Sequence, residues 1–236
     1  MKKKMNPFLL YSLAFSLVIF SACNKNTDSI KSTQSGVMAF NLIPDKVSVG
    51  FLVSNYNLTN ASLSYPNYTG NYLSVNSGQG NIQLIDASAN SLLSTDSYIF
   101  EPGKYYSLFA VGANGNYKNV IVNDNFDSLS AVSGNAFIRY INAIPDSSQA
   151  TVMVTANENN VINEPASYTD VSDFKEVAPG DIPVKVNSDM GNFSAERTIT
   201  LEKDKIYTIL LMGIPAETDT TKSVQIKYIQ NGTVTP

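Results

Sequence analysis

Carboxylates, tyrosines and a single cysteine are the side chains of this sequence that could do chemistry; its 236 residues include no histidine and no tryptophan. Without histidine the commonest general base and metal ligand is missing. Ser-His-Asp and Cys-His nucleophile systems, the zinc-peptidase helix motif and histidine-ligated zinc go with it. Glycoside hydrolysis survives that test, because it needs only two carboxylates. The candidates Glu101, Glu158, Glu164 and Glu202 are scattered over expected loops and strand ends. Asp124 with Asp127, and Asp170 with Asp173, do not follow the twelve-residue calcium loop. Asp45 and Asp146 each follow a proline, where an aspartate caps a turn by accepting backbone N–H bonds. The expectation is a protein that is not an enzyme, with no catalytic residue, no metal and no cofactor. A formal charge of −4 gives no basic footprint for nucleic acid.

Two sets of residues remain as candidate sites. Tyr56, Tyr65, Tyr68 and Tyr72 cluster among Asn and Ser, a mixture suited to contacting a glycan or peptide. Against this stands the ordinary use of tyrosine in a strand, ring buried and hydroxyl wet. Asp28-Ser29-Ile30, Asp127-Ser128-Leu129 and Asp219-Thr220-Thr221 resemble the acceptor pattern of a periplasmic O-glycosylation system, which would modify Ser29, Ser128 and Thr220. They fall in three polar segments where an extended acceptor backbone would be accessible.

The cysteine has a different explanation. Lys2, Lys3 and Lys4 precede a 13-residue apolar run over residues 8–20. That run is too short to span a bilayer and suits the apolar core of a signal peptide. It ends in Phe20-Ser21-Ala22-Cys23, which resembles the lipobox of bacterial lipoproteins, with Phe20 where Leu is usual. The expectation is cleavage after residue 22 and lipidation of Cys23, so that acyl chains anchor the protein to the membrane. Loss of the three lysines leaves 13 basic against 20 acidic side chains, a net −7, so charge does not hold it to an anionic surface. Residues 23–36 are polar and aperiodic, as in a flexible tether. No Asp follows Cys23, so an inner-membrane retention signal is missing and the outer membrane is expected, with the periplasmic or surface face open.

The elements that carry these residues are duplicated. Asn41-Leu42-Ile43-Pro44-Asp45 recurs as Asn142-Ala143-Ile144-Pro145-Asp146, 101 residues on. Glu101 and Tyr106 meet Glu202 and Tyr207, and Gly112 meets Gly213, at the same offset. Each repeat alternates apolar and polar residues as half-buried strands do: Val49, Phe51 and Val53, then Ile182, Val184 and Val186, then Ile199 and Leu201. Residues 206–212 are nearly continuous in apolar side chains, as expected of a strand covered on both faces. Pro183 demotes its strand to an edge or marks a bulge. The fold class expected is all-β: two tandem β-sandwiches, over residues 37–126 and 134–236, each long enough to fold alone.

The run from Ala136 through Arg139 and Asn142 to Asp146, with Tyr168, Pro179-Gly180 and Lys205-Ile206-Tyr207-Thr208, resembles a bacterial family known as domain of unknown function 4397. The first repeat is a diverged copy that lacks the arginine. The resemblance implies immunoglobulin-like sandwiches in envelope lipoproteins and no catalytic residues. Function is then expected to be that of an anchored binding or structural/adhesion module, whose partner is an envelope protein or a glycan. The other reading is a glycan-binding accessory lipoprotein of an outer-membrane import system.

Overall fold

The structure is a computed structural model that describes residues 33–129, 134–146 and 149–234; residues 1–22, Cys23 and Ser29 lie outside them. The first half contains β1 (Gln34–Leu42), β2 (Ser48–Val53), β3 (Tyr56–Asn57), β4 (Leu63–Ser64), β5 (Leu73–Asn76), β6 (Gly78–Asp86), β7 (Ser91–Phe100), β8 (Tyr105–Ala113) and β9 (Asn116–Asn123). The second contains β10 (Ala136–Asn142), β11 (Ala150–Ala156), β12 (Asn159–Ala166), β13 (Lys175–Val177), β14 (Gly180–Ser188), β15 (Ser194–Leu201), β16 (Lys205–Met212) and β17 (Gln225–Thr233). Both halves are immunoglobulin-like sandwiches with one connectivity. Sheet β5-β1-β8-β9 faces β3-β2-β6-β7 in the first, and β13-β10-β16-β17 faces β12-β11-β14-β15 in the second. The opening strand of each half pairs in parallel with its next-to-last strand, β1 with β8 and β10 with β16.

Burial separates two kinds of strand. In β2 and β11 every second residue is buried, as in a sheet with one wet face. In β1, β8, β10 and β16 nearly every residue is buried. One face of these strands fills its own sandwich: Val37, Ala39, Tyr106 and Leu108 in the first core, Ile138, Tyr140, Tyr207 and Ile209 in the second. The other faces meet each other. Met38, Phe40, Leu42, Phe109 and Val111 join Ile141, Ala143, Leu210 and Met212 in one buried cluster. The molecule is therefore four sheets deep, with the repeats packed face to face.

The duplicated motif residues are fold devices. Asn41 accepts from the Ile43 N–H and donates to the Leu63 carbonyl, and Asn142 does the same with Ile144 and Ala166, at 2.9 to 3.2 Å. Each thereby closes the Pro-Asp turn and braces the strand crossing beneath it. The Tyr106 hydroxyl accepts from the Glu101 N–H and Tyr207 from that of Glu202, which explains why these glutamates are duplicated. Gly112 and Gly213 lie at φ +133° and +110°, where a Cβ would stand 2.1 and 2.2 Å from the Asn116 and Ser223 carbonyl oxygens.

Two expectations change. β1 starts at Gln34, so Gln34, Ser35 and Gly36 belong to the first strand and not to a tether. Their polarity hid the strand, because the buried Ser35 hydroxyl is satisfied by the Glu101 carbonyl and by Ser77. Pro183 sits in β14, an inner strand between β11 and β15. It is tolerated because pairing with β11 ends at Val184, leaving no ladder bond for the missing N–H on that side.

Removing the first half would expose Ile141, Leu210, Met212 and Arg139. A 134–236 fragment should keep its own core and unfold cooperatively, but melt well below the whole chain and self-associate. Calorimetry and analytical ultracentrifugation check this; a monomer with unchanged melting temperature would contradict it.

Candidate functional site

The junction between the halves is not wholly apolar. Arg139, where the first repeat has Met38, carries a side chain 3% exposed into the interface, and the Asp124 side chain is 0% exposed. Arg139 Nη2 donates to Asp124 Oδ1 at 2.6 Å and to Ser107 Oγ at 2.8 Å, while Nε donates to Thr208 Oγ1 at 3.1 Å. The Thr208 hydroxyl donates to Asn231 Oδ1, Asn231 donates to the Tyr72 hydroxyl, and Tyr72 donates to Asp124 Oδ2. The bonds close a ring drawn from both halves. Ser107 and Thr208 are repeat equivalents, and Asn231 stands in the β17 bulge where Asp124 follows β9. The Phe174 ring lies 4.4 Å from the guanidinium carbon, covering the cation. Burial, then the Asp124 charge, hold the Tyr72 phenol well above its ordinary pKa, so it stays a donor.

The packing is reciprocal. Tyr168 lies under the Lys118 ammonium, 5.6 Å from ring centre to nitrogen. Tyr65 faces the Gln225 side chain without a well-formed hydrogen bond; Lys118 and Gln225 hold matching register positions opposite Val111 and Met212. Burial pushes both phenols up to about 12. The two halves thus relate by an approximate two-fold axis running along the strands.

That axis gives the molecule two distinct poles. Strands β1, β8, β10 and β16 all start at the pole holding residue 33, the 126–129 connection and Val234. They end at the pole holding both Pro-Asp turns, the Asn114-Gly115 hairpin and the 214–223 loop. Clefts open at the first pole on either side of the connection. One, of 370 Å³, is lined by Arg139, Asn123, Asn125, Ser128, Asp173 and Phe174. The other, of 350 Å³, is lined by Tyr72, Tyr105, Phe126 and Val234.

The structure does not bring the four candidate tyrosines together. Tyr65, Tyr68 and Tyr72 pack on the cluster between the halves, Tyr68 stacked on Phe40 at 5.5 Å. Tyr56 is 74% exposed on β3 beside a separate 170 Å³ pocket. Ser128 and Thr220 are both exposed, Ser128 donating to the Asn125 carbonyl. Asp45 accepts from the Asn114 N–H and the Tyr117 hydroxyl, which ties the first Pro-Asp turn to the β8–β9 hairpin. Glu164 is paired with Lys175 and Tyr140. Sequence reasoning missed the Arg139–Asp124 pair. Its signal was one arginine in an otherwise apolar strand, absent from the equivalent strand of the other repeat.

Comparison with known proteins adds the following. Residues 35–152 and 136–231 match the family described as Domain of unknown function (DUF4397). No curated protein matches the chain. Among solved structures, the tip fimbrial protein Mfa3 from Porphyromonas gingivalis is 8% identical with a TM-score of 0.27, over 84% of this chain and 99% of that one. A Bacteroides uniformis protein assigned to cell adhesion is 6% identical with a TM-score of 0.28, over 85% and 99%. The family 26 carbohydrate-binding module of Eubacterium rectale Amy13K, solved with maltoheptaose, is 8% identical with a TM-score of 0.25, over 86% and 98%. Scores this low carry no argument about function.

Arg139→Met leaves Asp124 buried without its cation, and should destabilise the protein by about 3–5 kcal/mol. Adding Asp124→Asn gives this side of the junction the Met and Asn residue types that Met38 and Asn231 hold at the equivalent positions, and should restore most of the loss. Urea unfolding of both variants checks this; a double variant no more stable than the single one would contradict it.

Proposed function

Because this chain belongs to the DUF4397 family over both of its repeats, we propose that it is an outer-membrane-anchored lipoprotein acting as a non-catalytic binding or structural/adhesion module of the cell envelope. The observation that carries the reading is the polarity of the body. The chain enters β1 at one pole, and the Pro-Asp turns of both repeats stand at the other. A lipid on Cys23, joined through the residues before Gln34, holds the first pole to the membrane and presents the second. Several features support presentation there. Val47 and Met190, 78% and 77% exposed, lie in distal turns, close in sequence to Asp45 and Asp189 respectively. An exposed apolar side chain on a charged rim is a common form of contact surface. The buried ring between the halves keeps the distal turns at fixed spacing, which a scaffold or adhesin requires. A sugar held by the same body is the route by which it would serve an outer-membrane importer.

Cys23→Ser should move the protein from the membrane to the soluble fraction with its thermal unfolding unchanged. A photo-cross-linking residue at Val47 or Met190 should then capture an envelope partner in intact cells, while one at Lys203, on the near pole, should not. Membrane retention of Cys23→Ser, or capture from Lys203 alone, would contradict the proposal.

A further inference from the structure

One nitrogen of the buried guanidinium is left over. Arg139 is 2% exposed, yet its Nη1 makes no hydrogen bond to any described residue, since Nε and Nη2 supply all the bonds to Thr208, Ser107 and Asp124. An arginine that lines a cavity with N–H groups to spare can donate them to an acceptor that enters it. Arg139 lines the 370 Å³ cleft between the halves, together with Asn123, Asn125, Ser128, Ser172 and Asp173.

We propose that this cleft binds one ring of a neutral saccharide, with a sugar oxygen accepting from Arg139 Nη1. Volume and chemistry both favour this occupant. A cleft of this size lies in the range of small-molecule sites. Its charged groups are one arginine and two carboxylates, Asp124 and Asp173, a net −1 that repels carboxylate, sulfate and phosphate ligands. A hydroxyl or acetamido oxygen brings no charge. The amides and hydroxyls of Asn123, Asn125, Ser128 and Ser172 both donate and accept, and Asp173 accepts from a sugar hydroxyl. Val122, Leu129 and Val171 supply apolar wall for the C–H face of a ring. Phe174 is no stacking platform, because the guanidinium already covers it. Binding therefore rests on hydrogen bonds and is weak. This site is distinct from the tyrosines between β3 and β5, whose rings fill the junction. The inference deepens the binding-module reading and takes its biological role from it, but the binding itself needs no anchor.

The test is a nuclear magnetic resonance titration of the mature chain carrying Cys23→Ser with chitobiose, maltose and cellobiose, and with galacturonate as the acidic control. At least one neutral disaccharide should give saturable shifts with a Kd of about 1 mM, centred on residues 122–129 and 171–174. Ser128→Trp, which fills the cleft from an exposed position, should weaken that binding at least about tenfold with the melting temperature unchanged. No saturable shift, binding untouched by Ser128→Trp, or tighter binding of galacturonate would overturn the site. None of those results would bear on whether the body is anchored through Cys23.

Discussion

A guanidinium cannot be left uncompensated inside a protein, and that constraint organises this molecule. Asp124 lies against Arg139 to compensate the buried charge, and the remaining lone pairs and N–H groups of the pair need partners too. Those partners come from both repeats: Ser107, Asp124 and Tyr72 from the first, Thr208 and Asn231 from the second. The ion pair is satisfied only when the halves are docked in one register. Apolar contact through Phe40, Phe109, Ile141 and Leu210 supplies most of the attraction, being non-directional. The polar ring supplies the directional part, penalising any slide that unpairs a buried charge.

Docking in turn decides what the body can present. Face-to-face packing along a two-fold axis parallel to the strands puts like ends of both repeats at like poles. The entry of the chain and the two clefts share one pole, and the two Pro-Asp turns share the other. A pair of sandwiches strung end to end would have separated those turns by a whole domain. Symmetry is broken at two places: Met38 stands where the second repeat has Arg139, and the short strands β3 and β4 stand where it has the eight-residue β12. The arginine opens one cleft to polar ligands. The irregular stretch between β4 and β5 brings Tyr65, Tyr68 and Tyr72 over the junction.

The sandwiches themselves were legible in the sequence. Alternation in residues 49–53 and 182–186, turn residues and the repeat offset all report local geometry that strands must obey. The run 206–212 was legible as a strand with two covered faces, but the sequence has no marker for what covers the second face. That cover is the other repeat, brought in by pairing that leaves no periodic trace. The same limit explains the tyrosines: Asn and Ser neighbours make Tyr65 and Tyr72 look like surface residues, while their rings are half-buried at the junction with the other repeat. Gln34 and Ser35 read as tether for a related reason, since a buried hydroxyl with two partners leaves no apolar signal. Arg139 was visible as an anomaly, and only its partner Asp124, in a polar turn, could say why it is there.

The central claim is that the two repeats form one rigid body locked across β1, β8, β10 and β16. Spin labels at Asn81 in β6 and Thr198 in β15 sit on the two outermost sheets, and pulsed dipolar spectroscopy reads the distance between them. Four stacked sheets put those layers about 30 Å apart, and a locked body gives one narrow distance distribution near that separation. A broad or two-peaked distribution would mean that the halves move as independent beads, and the account would fail.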